Sequence, residues 1–107
     1  MKRNQIFERD GYRCVYCGEQ FAADELTLDH VQPRVGGGDH SEGNLVTACK
    51  ACNTLKGHRR LSQYLHESAD ARRHFLERAT HVWQRLLRIV ERELADLDAA
   101  AGSVKKA

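Results

Sequence analysis

No run of apolar residues in this chain approaches the ~20 needed to cross a bilayer, and nothing near its N-terminus has the apolar centre of a secretion signal. Those absences predict a soluble protein kept in the cytoplasm, with no membrane partner and with reduced thiols. Net charge is also scarce: the formal value is +2, too small to argue for or against a polyanionic partner. Large apolar side chains are sparse before Leu61, so that portion cannot support a core by burial alone. No internal repeat is visible beyond a paired Cys-x-x-Cys element. At 107 residues the chain allows one domain and an appendage.

What is present is concentrated. Two Cys-x-x-Cys pairs, Cys14/Cys17 and Cys49/Cys52, have the spacing by which each pair occupies two corners of a tetrahedral Zn2+ site. Two disulfides are the weaker reading in a reducing compartment. Four thiolates leave no open coordination position, so the zinc is expected to be structural, and such a site can supply on the order of 10 kcal/mol of folding free energy. Four thiolates and one Zn2+ would also bring the folded charge near zero.

Around these pairs, Arg3 to Arg9 reads as a short helix with Ile6 and Phe7 inward, ended by Asp10-Gly11. Leu26-Thr27-Leu28 and Asn44-Leu45-Val46-Thr47 alternate as brief strands, with the turn-forming Gly36 to Gly38 between them. The second cysteine pair opens a helix from about Lys50 to Lys56 that stops at Gly57. The predicted class is α+β: a small ββα module over 1–60 stapled by the four cysteines, a helical extension over 61–98, and a disordered tail over 99–107. A helix break is expected near His66-Glu67-Ser68, followed by one long amphipathic helix from about Asp70 to Leu97. Its heptad positions Leu76, Trp83, Val90 and Leu97 define a stripe that either folds back over the zinc module or pairs with a second copy as a homodimer.

The segment enclosed by the cysteines carries the chemistry. Asp29 and Asn53 offer the carboxylate and amide oxygens that a hard divalent cation such as Mg2+ or Mn2+ prefers. Neighbours on a strand point in opposite directions, so His30 is free for a different task, and an imidazole, which titrates near pH ~6.5, can take a proton from water. Such general-base action is worth roughly 10²- to 10⁴-fold.

The string Leu28-Asp29-His30-Val31-Gln32-Pro33-Arg34, the Gly37-Gly38 pair, Asn44-Leu45-Val46 and Cys49 through Gly57 together resemble the zinc-containing branch of the HNH endonuclease family, over roughly Arg3 to Arg60. The resemblance implies a ββα-metal fold and a DNA endonuclease. It gives Asp29 as metal ligand and His30 as general base. Asn44 would brace the loop that orients the histidine, and Asn53 would stand as the second metal ligand where the family often has histidine. All four are candidate catalytic residues. The implied products bear 3′-hydroxyl and 5′-phosphate ends.

Ten basic residues between Lys50 and Arg92 against four acidic ones make this half the candidate face for DNA. Lys50, Lys56, Arg59 and Arg60, beside the Asn53 helix, and Arg34 in the loop are the candidate phosphate contacts, which would give affinity without sequence preference. His58 is either a further ligand or a solvated residue, and His40, His66, His74 and His81 read as surface positions. A zinc-knuckle adaptor without chemistry, an RNA or branched-junction nuclease, and dependence on a larger protein partner remain open at this stage.

Overall fold

Lys2–Arg9 forms helix α1, which turns Ile6 and Phe7 into the core. It closes where the Tyr12 N–H donates to the Phe7 carbonyl at 2.8 Å, with Gly11 at φ 67° as the left-handed residue such a terminus needs. The chain, a computed structural model describing residues 2–32 and 41–106 with side chains to 101, then makes its first knuckle. Gly18, at φ 76°, donates to the Cys14 carbonyl at 2.9 Å, and the Val15 N–H hangs this knuckle on Thr47 at 2.9 Å.

Strands β1 (Leu26–His30) and β2 (Leu45–Cys49) pair antiparallel, with Leu26 opposite Cys49, Asp29 opposite Val46 and His30 opposite Leu45. Helix α2 (Lys50–Lys56) starts where β2 stops. Cys49 caps it, its sulfur accepting from the Cys52 N–H at 3.4 Å, and Gly57 at φ 59° ends it at the position expected. The ββα order is as the sequence indicates. Gly36 to Gly38, Arg34 and His40 lie outside the described residues.

Helices α3 (Leu61–Glu67), α4 (Ala69–Arg78) and α5 (Gln84–Lys106) complete the chain. Ser68 marks the anticipated break: its hydroxyl accepts from the Ala71 N–H at 3.2 Å and caps α4. The single helix expected over 70–97 is instead two, parted at 79–83 by the backbone bond from Trp83 N–H to the Gly43 carbonyl, 3.0 Å. The turn resets the phase of the apolar pattern. Leu76 and Trp83 are therefore 47% and 41% exposed while Val90 is fully buried, so the heptad stripe does not form one line. The buried row is Phe75, Ala79, Val82, Leu86, Val90 and Leu94. Helix α5 runs on to Lys106, past position 98 and through most of the stretch expected to be a disordered tail.

That row folds back into one core shared with the zinc half. The buried ring of Tyr16 meets Tyr64 edge-on, with centroids 5.4 Å apart, and stacks on Phe75 at 6.3 Å. Burial of Leu86, Val90 and Leu94 contributes roughly 1.5–3 kcal/mol per side chain. The surface pairs Arg72–Asp98 and Arg60–Glu93, both 2.9 Å, lie in solvent that screens them, so packing rather than charge holds α5 in place. His66 contacts Asp98 at 3.0 Å and the His74 ring lies against Gly18, so both are partly buried where the sequence suggests surface. No helix among the described residues is long and apolar enough to cross a membrane.

Candidate functional site

The two knuckles bring Cys14, Cys17, Cys49 and Cys52 together, their sulfurs all within 4.8 Å of one another and none in a disulfide. A tetrahedral ion with metal–sulfur bonds of about 2.3 Å sets sulfurs about 3.8 Å apart, close to this spacing. Burial pushes the Cys14 thiol up to about 11 and the Cys52 thiol higher still. At Cys49 burial also acts upward, but hydrogen bonds from Cys52 and the neighbouring thiols outweigh it and the net shift is downward. Sulfurs this crowded and dry ionise together only around a cation. The four cysteines are thus positioned to bind a metal, and four soft thiolates at tetrahedral spacing suit Zn2+.

Asp29 and His30 end β1, at the end of the hairpin away from Cys49, which pairs with Leu26. The Asp29 carboxylate is held from several sides. The Tyr16 hydroxyl donates to Oδ2 at 2.5 Å, the His30 N–H donates to Oδ1 at 3.0 Å, and the Lys56 ammonium lies 3.3 and 3.2 Å from Oδ1 and Oδ2. Burial, with the Asp29 charge adding to it, pushes the Tyr16 pKa well above 10.0, so this hydroxyl keeps its proton and remains a donor. Tyr16 is a residue of the candidate site that sequence reasoning missed. Its one signal was an aromatic residue inside the first cysteine pair.

Asn44 is 2% exposed, at the end of the 3₁₀ turn before β2. Its Oδ1 accepts from the Gln32 N–H at 2.9 Å, its Nδ2 donates to the Gln32 carbonyl at 3.1 Å, and its own carbonyl accepts from Val31 at 2.9 Å. The two residues after His30 are thereby stitched to the turn that leads into β2. Asn53 stands on α2 one turn before Lys56, on the same side of the helix. Its carboxamide makes no hydrogen bond among the described residues, although its backbone carbonyl accepts from Gly57 at 3.0 Å.

A cleft of about 340 Å³ opens over Asp29 and His30, with Lys56, His58, Arg59 and Arg60 along its other wall. The sequence-predicted phosphate contacts divide here. Lys50 is exposed at the start of α2. Lys56 is only 8% exposed and turns inward onto Asp29. Arg59, in the turn between α2 and α3, folds back on the end of α2, donating to the Lys56 carbonyl at 3.1 Å, pairing with Glu67 and lying 5.3 Å over the Tyr64 ring. Arg60 reaches Gln32 at 3.3 Å and Glu93 at 2.9 Å.

Residues 14–59 match the family model described as HNH endonuclease. This segment is an HNH endonuclease domain. It holds both cysteine pairs, Asp29, His30, Asn44 and Asn53. The chain is 38% identical over 56 residues to the CRISPR-associated endonuclease Cas9 of Corynebacterium diphtheriae, a match covering 51% of this chain and 5% of that protein. The corresponding Cas9 of Actinomyces naeslundii is 38% identical over 55 residues, covering 50% and 5%. The chain therefore spans about a twentieth of the length of these curated relatives. The crystal structure of the Type II-C Cas9 enzyme from Actinomyces naeslundii shares the fold, with a TM-score of 0.61 at 24% identity, over 86% of this chain and 12% of that one. At 86% coverage the likeness in fold reaches beyond the HNH segment into the helices that follow it.

Proposed function

We propose that this chain is a divalent-metal-dependent DNA endonuclease in which His30 activates the attacking water. The observation that carries the reading is the Asp29-His30 pair at the end of β1, stitched by Asn44 and facing a cleft walled by basic residues inside an HNH domain. His30 takes a proton from water, and Asn44 keeps the histidine's segment in register with β2. Exposed Lys50 and the rim of Arg59 and Arg60 receive the phosphate backbone, together with Arg34 from outside the described residues, which implies weak sequence preference and strong salt dependence.

The donors fit a second metal: the Asp29 carboxylate and the Asn53 amide oxygen lie on adjoining elements, and a cation, the Lys56 ammonium, already rests on that carboxylate. Mg2+ or Mn2+ held there would stabilise the leaving oxygen and the charge on the phosphate. The four cysteines hold Zn2+ in a structural role. The relatives named above are far longer CRISPR-associated endonucleases, which favours work within or beside a larger protein.

The test is incubation of wild type and His30→Ala with supercoiled plasmid, Mg2+ or Mn2+ and low salt. Metal-dependent nicking or linearisation by wild type, lost in the variant, is expected. Binding without cleavage by either protein would instead make this a zinc-knuckle adaptor, and faster cleavage of RNA or branched junctions than of duplex would change the substrate.

A further inference from the structure

Among the described residues Lys56 is the one charged residue the fold buries, and it is not where a phosphate-binding lysine would be. Its ammonium sits almost equidistant from the two oxygens of Asp29, 3.3 Å from Oδ1 and 3.2 Å from Oδ2. That is the fork position a chelated cation takes between two carboxylate oxygens. The other two donors leave it open: the His30 N–H serves Oδ1 and the Tyr16 hydroxyl serves Oδ2. The side chains of the pair are 10% and 12% exposed, so the attraction is little screened.

We infer that Lys56 is a resident counter-ion that a divalent metal must displace from Asp29, setting the metal concentration at which the site loads. This rests on the proposed metal-dependent nuclease and concerns its regulation. A buried carboxylate left without a cation is costly, so Lys56 keeps the metal-free protein folded. The same ammonium opposes metal entry, because a second cation cannot share the fork. Lysine suits the exchange, having a compact charge on a flexible four-carbon stem that can swing into the adjoining cleft. Tyr16 and the His30 backbone stay on the outer edges of the carboxylate throughout. One cation therefore replaces another without turning Asp29.

The inference has a sign that ordinary damage lacks: removing Lys56 destabilises the metal-free protein yet tightens metal binding. Mn2+ is titrated calorimetrically into zinc-loaded wild type, Lys56→Met, Lys56→Gln and Asp29→Asn, with thermal melts of each before Mn2+ is added. The Kd for Mn2+ should fall at least fivefold in Lys56→Met and Lys56→Gln, their metal-free melting temperatures should drop, and Asp29→Asn should bind no Mn2+. Equal or weaker binding in the lysine variants, with Asp29→Asn still abolishing it, overturns the inference and leaves the nuclease reading intact. Absence of Asp29-dependent binding in wild type overturns the metal reading itself. Should the variants fail to fold, Mg2+ titration of wild type followed by lysine Nζ NMR decides: a protected Lys56 resonance lost as Mg2+ binds supports the exchange, and one that persists rejects it.

Discussion

Asn44→Ala isolates the stitch behind the proposed base. In wild type the amide spans Gln32, accepting from its N–H at 2.9 Å and donating to its carbonyl at 3.1 Å, while 2% exposed. Each such bond has a net worth of about 1 kcal/mol, and the Gln32 groups left behind add part of their desolvation cost, so a loss of roughly 2–3 kcal/mol is expected. For a chain of this size that lowers Tm by on the order of 10 °C. The backbone bond from Val31 to the Asn44 carbonyl survives, so the fold persists while the segment after His30 loosens. A displacement near 1 Å at a catalytic group costs about 10²-fold in rate. The assay pairs urea denaturation at fixed excess Zn2+ with plasmid nicking. Asn44→Asp sharpens it, since a carboxylate oxygen facing the Gln32 carbonyl should do as much harm as alanine despite its shape. An alanine variant within about 0.5 kcal/mol of wild type that nicks at full rate would refute the stitch, because lost buried bonds cannot be that cheap.

Cys49→Ser removes a sulfur from the metal cluster and the cap of α2; because Tyr16 packs on both Tyr64 and Phe75, the whole chain rather than its first half should lose cooperative melting, read by circular dichroism with metal content by mass spectrometry. A native-like transition in that variant counts against the shared core. Gly43→Ala places a methyl 2.1 Å from the Trp83 ring, an overlap costing about 1–3 kcal/mol, and the only tryptophan should report it as a red-shifted emission; an unchanged spectrum and midpoint would contradict the close approach. The hydrogen bond from Arg72, assisted by His66, holds Asp98 below its ordinary 3.8. A depressed carboxyl stabilises fully above its unfolded value, so α3–α5 docking should weaken as pH falls through 3.8 and below, more visibly at low salt; Asp98→Asn should flatten that limb of the stability curve. With Leu86, Val90 and Leu94 buried within the chain, sedimentation equilibrium at micromolar concentration should give a monomer.

The parts of this molecule legible in its sequence are those fixed by local chemistry. Two cysteine pairs must form knuckles to meet one metal, Gly57 must end α2, and Ser68 must start a helix, so these features stand where spacing and turn residues put them. The break at 79–83 had no such marker, since Arg78-Ala79-Thr80-His81-Val82-Trp83 contains neither glycine nor proline. A bond to Gly43, forty residues away, makes that turn, and the seven-residue spacing from Leu76 to Leu97 is carried across it by coincidence. Asp29, His30, Asn44 and Asn53 are proposed as a set through the family resemblance. Their bracing was not legible: Tyr16 meets Asp29 across 13 positions and Lys56 across 27, and a lysine that ends up buried looks in sequence like any solvated one.

The Trp83 contact bears on how such a unit could be moved between proteins. Its backbone hooks Gly43, the residue before Asn44, so the turn that steadies the proposed base leans on the start of α5. A graft cut at Arg60 would carry every proposed ligand of both metals and still leave that turn unsupported and the Tyr16 ring open to water. The smallest piece expected to work in a new host runs through Leu94, where the buried row on α5 ends.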